Sequence, residues 1–262
     1  MTLGVAFAAL AISGGAALAH WHARAKSSPV AADDSDRSPE PPVEDYTPEP
    51  RGTASAPSRN RAPGDKPPER QPSTKVPTSG KGTFTTAQTG GKPSGSGPLR
   101  RYSVQVEDGV DVSAKDAAAE IQQILAHPRS WGAHGKGSFQ LVSSGADFVI
   151  RIATPDTADR LCLKQGLDTG GELNCETSEG VVVNLRRWAL GSPKFDGPAS
   201  EYRHLIINHE IGHEIGNRKH LGCGGRGKLA PVMMQQIKGL DGCRSNAWPY
   251  DENGTYITGP TL

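Results

Sequence analysis

The sequence predicts an α+β protein in which a long disordered segment precedes a folded C-terminal region, a mixed β-sheet with a central helix. Three observations lead to this prediction. Of the 21 prolines, 14 lie between Pro29 and Pro98. After that range, short apolar runs with strand and helix periodicities alternate along the chain. The most regular helical pattern, residues 202–215, carries two histidines and a glutamate at fixed spacing.

The N-terminal segment consists of apolar and small residues. Residues 1–19 contain no charged side chain and end in Ala17-Leu18-Ala19, an A-x-A pattern typical of signal-peptide cleavage sites. A stretch of this length, near the roughly 20 residues that span a bilayer, also fits a membrane anchor. Basic residues follow it and would tend to hold that side of an anchor in the cytoplasm, which disagrees with an exported domain. We favour export and assign residues 1–22 to a signal peptide or a membrane anchor.

The next segment, residues 23–98, is rich in Pro, Ser, Gly and charges of both signs. This composition cannot bury enough apolar surface to offset chain entropy, which predicts a disordered linker. The folding unit is then residues 99–262, which is long enough for a hydrophobic core. The net charge is +1, from 29 basic and 28 acidic residues, and no basic face or aromatic platform emerges. We therefore expect no nucleic-acid partner.

All four cysteines lie in the predicted folding unit, and none has the C-x-x-C spacing of a metal knuckle or redox motif. The simplest pairing joins Cys162 to Cys175 and Cys223 to Cys243. Two such disulfides require an oxidising compartment. The alternative is four buried free thiols in a cytosolic protein. Together with the N-terminal segment, the cysteines favour an extracytoplasmic protein, either secreted or anchored to the cytoplasmic membrane.

The elements of the folding unit follow from periodicity. Apolar and polar side chains alternate at the start of the unit, which predicts a strand. Ser113 offers an N-cap to a following helical pattern that Pro128 ends. The third predicted strand, residues 146–152, is apolar enough to be buried on both faces. Beyond Gly216 the chain has the composition of a loop. The predicted strands are 102–106, 138–142, 146–152 and 180–185, and the predicted helices are 114–126 and 202–215.

The second helix carries the residues with the clearest chemistry. His209 and His213 are four residues apart and lie on one helix face, where both imidazoles can bind a single Zn²⁺. Glu210 is rotated by about 100° from His209, beside the metal, where a carboxylate can act as general base. Every fourth residue from Ile207 to Ile215 is isoleucine, which predicts the face that packs on the sheet.

A third ligand is expected after the helix. Gly216 lies three residues beyond His213 and can adopt the left-handed conformation that ends a helix sharply. The chain then turns back, which makes His220 the candidate third ligand. Its neighbour Lys219 is a poor ligand at neutral pH because an ammonium must first lose its proton.

Several further stretches carry a family resemblance. They are Leu125–Trp131, Val183–Trp188, Tyr202–Arg203, Asn208–His213, Ala230–Met233, Gly239–Cys243 and Trp248–Tyr250. With them the chain resembles the metzincin group of zinc peptidases, whose pattern is H-E-x-x-H-x-x-G-x-x-H followed by a methionine turn. It is also similar to a family of exported actinobacterial domains of unknown function that share this signature. In this chain, the last histidine comes one residue later than the pattern places it.

The resemblance implies a zincin fold, with His209, His213 and His220 as zinc ligands and Glu210 as catalytic base. It also implies that Met233 lies in a tight turn beneath the histidines. The expected protein is a monomeric, exported zinc metallopeptidase that acts on peptide or protein substrates, with membrane or cell-wall association through its N-terminal segment. The alternatives are a non-catalytic domain braced by a closed zinc site and a structural protein of the cell envelope.

Three aromatic or imidazole side chains are expected to play no part in the chemistry. Tyr250 is not expected to reach a transition-state oxyanion. His204 falls on the isoleucine side of the helix and is expected to contact the core. His127, beside a proline, is expected to be solvated.

Overall fold

The computed structural model describes residues 75–262. The predicted signal peptide or membrane anchor, residues 1–22, lies outside the described residues, as does the larger part of the predicted linker. Within residues 75–262, no helix combines the length and the apolar character that crossing a membrane requires.

Seven strands and four α-helices make up the described region. The strands are β1 (Phe84–Thr86), β2 (Ser94–Ser96), β3 (Leu99–Glu107), β4 (Gly137–Leu141), β5 (Phe148–Ala153), β6 (Cys175–Thr177) and β7 (Gly180–Asn184). The helices are α1 (Ala114–Ala126), α2 (Pro155–Leu163), α3 (Leu185–Leu190) and α4 (Ala199–Glu214).

The strands form one mixed sheet in the order β2-β4-β3-β5-β7-β6, with β1 also paired to β3. The central strands β3, β4, β5 and β7 are parallel to their neighbours in that group. Strands β1, β2 and β6 pair antiparallel. The predicted α+β class with a mixed sheet is therefore confirmed, and β6 forms the edge beside helix α4.

Burial along two strands differs from the prediction. Strand β5 alternates, with Ile150 and Ile152 fully buried and Arg151 half-exposed between them, so it is not buried on both faces as predicted. Strand β7 is the one buried at every residue. It lies between α2 on one side and helices α3 and α4 on the other, which removes both of its faces from water.

Helix α1 has the predicted bounds. The Ser113 hydroxyl accepts a hydrogen bond from the Asp116 amide at 3.3 Å, which caps the N-terminus. Buried residues recur at helical spacing on one face, including Ile121 and Leu125. The chain then returns through a 3₁₀ turn at Trp131–His134, in which Trp131 is fully buried.

The predicted linker boundary at residue 98 is wrong, because β1 and β2 lie before it. Strand β1 pairs with β3 through Phe84 and Glu107, and β2 pairs with β4. The buried Glu107 carboxylate also accepts a hydrogen bond from the Gly82 amide at 2.7 Å. These contacts are with residues far along the chain, so local composition gives no sign of them.

Besides β1 and β2, three further elements were not predicted, namely α2, β6 and α3. Helix α2 begins with Pro155 in its first turn, in a stretch for which neither a helix nor a strand was predicted. The predicted strand 180–185 ends at Asn184, whose side chain accepts a hydrogen bond from the Arg186 amide at 2.9 Å and starts α3. Beyond Gly216 only isolated bridges occur, as predicted.

Both predicted disulfides are present. Cys162, on α2, is bonded to Cys175, on β6, and Cys223 is bonded to Cys243. No cysteine is left free. Two disulfides form and persist in an oxidising compartment, which indicates an extracytoplasmic location.

Candidate metal centre

Helix α4 is fixed in position by its buried face. Ile207 and Ile211 are fully buried, as the isoleucine pattern predicts. The Trp131 indole N–H donates to the Asn208 carbonyl at 2.7 Å, and the Ser130 hydroxyl donates to the Asn208 side-chain oxygen at 2.8 Å. These contacts hold the helix at the residue immediately before His209.

A methionine lies under the helix between the two predicted ligands. Met233 is buried, and its sulfur occupies the space that a Cβ on Gly212 would need. The same Cβ would lie 3.1 Å from the Trp131 ring. Only glycine allows this approach, so Gly212 lets the turn that carries Met233 pack directly against the helix.

The helix ends as the glycine predicts. Gly216 has a φ of 103°, and the Asn217 amide donates to the Gly212 carbonyl at 2.9 Å, a bond that closes the last turn. The chain reverses there and returns past the helix end. Two backbone hydrogen bonds hold its new direction. The His220 carbonyl accepts from the Leu262 amide, and the Leu221 amide donates to the Met233 carbonyl.

The three predicted ligands converge. One ring nitrogen from each of His209, His213 and His220 lies within 4.8 Å of the others. The Nε2 atoms of His213 and His220 are 3.2 Å apart, and two nitrogens bound to one tetrahedral zinc lie about 3.3 Å apart. The extra residue before His220 therefore does not carry its ring away from the other two. In residues 75–262, no fourth His, Cys, Asp or Glu joins the group.

Backbone carbonyls set the tautomers of two of these rings. His209 Nδ1 lies 2.7 Å from the Val232 carbonyl, and His213 Nδ1 lies 2.8 Å from the Asn217 carbonyl. Because a carbonyl can only accept, each Nδ1 carries the proton and donates. Each Nε2 then offers its lone pair toward the point where the rings meet, the arrangement usual for histidines that bind metals.

The rings are also kept neutral. Burial, with a smaller contribution from the nearby His213 ring, lowers the pKa of His209 to about 3. Burial likewise lowers the pKa of His213 and of His220. Neutral imidazoles are the form that binds a metal ion, so no proton has to be displaced at neutral pH.

Glu210 is buried beside the three histidines. Burial and, to a smaller extent, the negative charge of Glu176 together raise the pKa of its carboxyl group to about 8. A carboxyl group with this pKa exchanges protons near neutral pH. A cation bound by the histidines would favour the carboxylate and lower this pKa.

The site opens into a cleft of about 450 Å³. Residues of the segment 167–176 contribute to its lining, as do Gln235 and Lys238. A small cavity of about 40 Å³ adjoins it next to Glu210. That cavity is lined mainly by apolar side chains, those of Leu173, Leu205, Ile206, Met234 and Ile237.

The remaining predictions concern side chains away from the cleft. Tyr250 does not line it and packs instead on His134, with ring centroids 3.9 Å apart. His204 contacts Trp248, as its position on the helix predicts. His127 was predicted to be solvated, but it is half-buried and stacks on Trp248 at 4.0 Å. The tryptophan comes from a distant segment, so its contact is not visible in the local sequence.

The family of the chain follows from its sequence. A family model described as protein of unknown function (DUF3152) matches residues 70–256, more than half of the chain. The chain belongs to the DUF3152 family. No curated protein and no solved structure matches it. The DUF3152 match begins before residue 75, in agreement with a folded region that includes β1 and β2.

Two residues of the DUF3152 cleft were not predicted. They are Asn174, immediately before the edge strand β6, and Glu176, within it. No motif surrounds them. Their place in the cleft results from the pairing of β6 with β7. Arg218, Gln235 and Lys238 also line the cleft, in agreement with the expectation that residues 217–240 form one of its walls.

Proposed function

We propose that this chain is an exported, zinc-dependent peptidase with a metzincin-like domain that hydrolyses peptide bonds. One observation carries the proposal. The Nε2 atoms of His213 and His220, 3.2 Å apart, converge beside His209 in the same cleft as Glu210. Three protein donors leave a coordination position open, as catalytic zinc sites do, whereas structural sites are closed by four.

The donor set suits zinc in number and in chemistry. His209, His213 and His220 would hold the ion through neutral ring nitrogens, two of them oriented by backbone carbonyls. When bound, zinc supplies Lewis-acid polarisation of a substrate carbonyl and a coordinated water of lowered pKa.

Glu210 handles the proton in this proposal. Its carboxylate takes a proton from the attacking water as the water oxygen bonds to the carbonyl carbon. It then gives the proton to the amide nitrogen as the carbon–nitrogen bond breaks, which releases an amine and a carboxylic acid. Burial raises the pKa of Glu210 and a bound cation would lower it, so the carboxylate that accepts the proton is the form expected beside the ion.

The surrounding fold supports the metzincin-like assignment. A mixed sheet packs against α4, and Met233 lies against Gly212 between the two ligands of that helix. The disulfides agree with export, and residues 1–22 would deliver the chain as a secreted or a membrane-anchored protein. The substrate is a peptide or a protein that enters the open cleft.

The proposal is tested with the full chain and its Glu210→Gln variant. We expect both to bind one zinc ion per chain, measured by elemental analysis, and only the wild type to cleave a mixed peptide library. The loss of hydrolysis should be at least about 100-fold. Glu201→Gln, at an exposed position of the same helix, is the control and should cleave normally. A wild type that binds zinc but cleaves no peptide would instead support the non-catalytic, zinc-braced domain.

A further inference from the structure

Asn174 lies on the wall of the cleft that faces the histidines. It immediately precedes the edge strand β6, between Leu173 and the disulfide-bonded Cys175. Asn174 lines both the cleft and the small adjoining cavity, and His209 and Glu210 line the same two spaces. The residue therefore lies beside the catalytic groups of the proposed function.

The orientation of this amide is set by a backbone group. The Asn184 amide N–H donates to the Asn174 side-chain oxygen at 2.9 Å. A backbone N–H can only donate, so the oxygen must face Asn184 and the Nδ2 group must face the other way. Asn184 is itself fully buried, and its own side chain donates to the Gly171 carbonyl at 2.9 Å, so the anchor is fixed.

The Nδ2 group of Asn174 has free donors. Within residues 75–262 this group makes no hydrogen bond. The one buried side-chain polar atom without a partner in that range is His204 Nδ1, so the unpaired Nδ2 atom of Asn174 is accessible to solvent. Asn174 thus presents two N–H groups to the space it lines. Gln235, which lines the same two spaces, differs because neither end of its side-chain amide makes a hydrogen bond within residues 75–262, so that amide can rotate.

We propose that the Asn174 Nδ2 group donates a hydrogen bond to the carbonyl oxygen of the scissile peptide bond and stabilises the negative charge that develops there. The inference rests on the proposed function, for which it names a catalytic residue. A donor already held in position costs little reorganisation when the charge forms. The loss of one such donor lowers kcat by about 100-fold in enzymes where it has been removed.

The first test compares kcat and KM of the full chain, loaded with zinc, with those of two variants. Asn174→Asp keeps the shape and the acceptor for Asn184 but removes the donors. Asn174→Ala removes the donors without adding charge. We expect kcat to fall by about 10- to 100-fold in both, with a much smaller change in KM. Gln235→Glu adds the same negative charge as Asn174→Asp, but at a side chain that no hydrogen bond holds in place. It should lower kcat clearly less than the Asn174 variants do.

A second measurement does not depend on hydrolysis. Acetohydroxamate, a small oxygen-donor probe for bound zinc, is titrated into the zinc-loaded chains by calorimetry. We expect its affinity to fall about tenfold in Asn174→Asp and Asn174→Ala, because its anionic oxygen loses a donor. If the wild type cleaves nothing but this loss is seen, the donor role stands and the peptidase proposal falls.

The inference is overturned if Glu210→Gln abolishes cleavage while both Asn174 variants keep the wild-type kcat and hydroxamate affinity. It is also overturned if only KM rises, since Asn174 would then bind substrate without acting on the transition state. A wild type that binds neither zinc nor hydroxamate overturns both proposals.

Discussion

The guanidinium of Arg218 reaches across the cleft to the carboxylate of Glu176, with Nη1 lying 3.0 and 2.9 Å from its two oxygens. Glu176 belongs to the edge strand β6, whereas Arg218 lies just after the end of α4. The ion pair therefore joins the two sides of the cleft next to His213 and His220. Arg218 is largely exposed, so water and salt weaken the pair and it can open.

We expect Arg218→Ala to speed the removal of bound zinc by a bulky chelator severalfold, because the cleft is no longer bridged. The free energy of unfolding should change by less than about 1 kcal/mol, since the arginine of the pair is largely exposed. Stopped-flow measurement of zinc release checks the first outcome. Arg226→Ala removes an exposed arginine outside the cleft and should leave the release rate unchanged. An equal release rate in Arg218→Ala would show that the pair does not control access.

The third ligand is tested at two adjacent positions. We expect His220→Ala to weaken zinc binding by more than about 100-fold, a larger loss than the removal of a group that only orients a ligand causes. Lys219→Ala should keep the wild-type affinity, although the metzincin spacing would place the histidine at that position. Competition with a chromophoric chelator measures both constants. The opposite order of effects would contradict the assignment of His220.

The contact between Gly212 and Met233 leads to a stability prediction. A methyl group at residue 212 would collide with the Met233 sulfur and approach the Trp131 ring to 3.1 Å. We expect Gly212→Ala to lower the free energy of unfolding by about 1–3 kcal/mol despite the better helix propensity of alanine. Urea unfolding measures it, with Ser200→Ala at an exposed position of the same helix as the control. A stabilised Gly212→Ala variant would mean that the turn under the helix is free to shift.

Glu107 provides a prediction for pH. Burial alone would raise the pKa of this carboxyl group, but hydrogen bonds from Thr154, Gly82 and Thr157 outweigh burial and hold the pKa below its usual range. The folded state therefore favours the carboxylate. Its stabilisation is complete above the unfolded pKa of about 4.3 and is lost as the pH falls through the lower folded pKa.

We expect Glu107→Gln to be less stable than the wild type at pH 7, by about 2 kcal/mol, because the amide cannot accept all of these bonds. The difference should shrink as the pH falls below about 4, where the wild type loses the same stabilisation. Urea titrations at pH 7 and pH 3 measure both differences, and Glu252→Gln at an exposed position is the control. A difference that stays constant with pH would exclude the carboxylate as its source.

Local patterns were sufficient to predict the elements that carry their own signals. Helix α1 has a capping serine and a terminating proline, and its bounds match the prediction. The end of α4 was predicted from Gly216, whose positive φ few other residues tolerate. The convergence of His209, His213 and His220 was predicted from the same local spacing.

Elements that depend on distant partners could not be predicted in this way. Strands β1 and β2 have three residues each and exist because β3 and β4 offer edges to pair with. Leu185 continues the apolar pattern of β7, and a cap from Asn184 is what turns the chain into α3. The role of Asn174 in the cleft depends on the same Asn184, ten residues away and on the neighbouring strand, so no window of sequence reveals it.

Two of the segments that line the cleft lie in loops that disulfides close. The segment 167–174 lies between Cys162 and Cys175, and Gln235 and Lys238 lie between Cys223 and Cys243. In a newly made chain in the reducing cytosol, neither loop is closed by its disulfide. Helix α4, which carries His209 and His213, contains no cysteine and can form without a disulfide. We therefore expect maturation to proceed in two stages, with the lining of the cleft completed only once the thiols have been oxidised outside the cell's reducing interior; for the proposed peptidase, this order would spare cytosolic proteins from degradation.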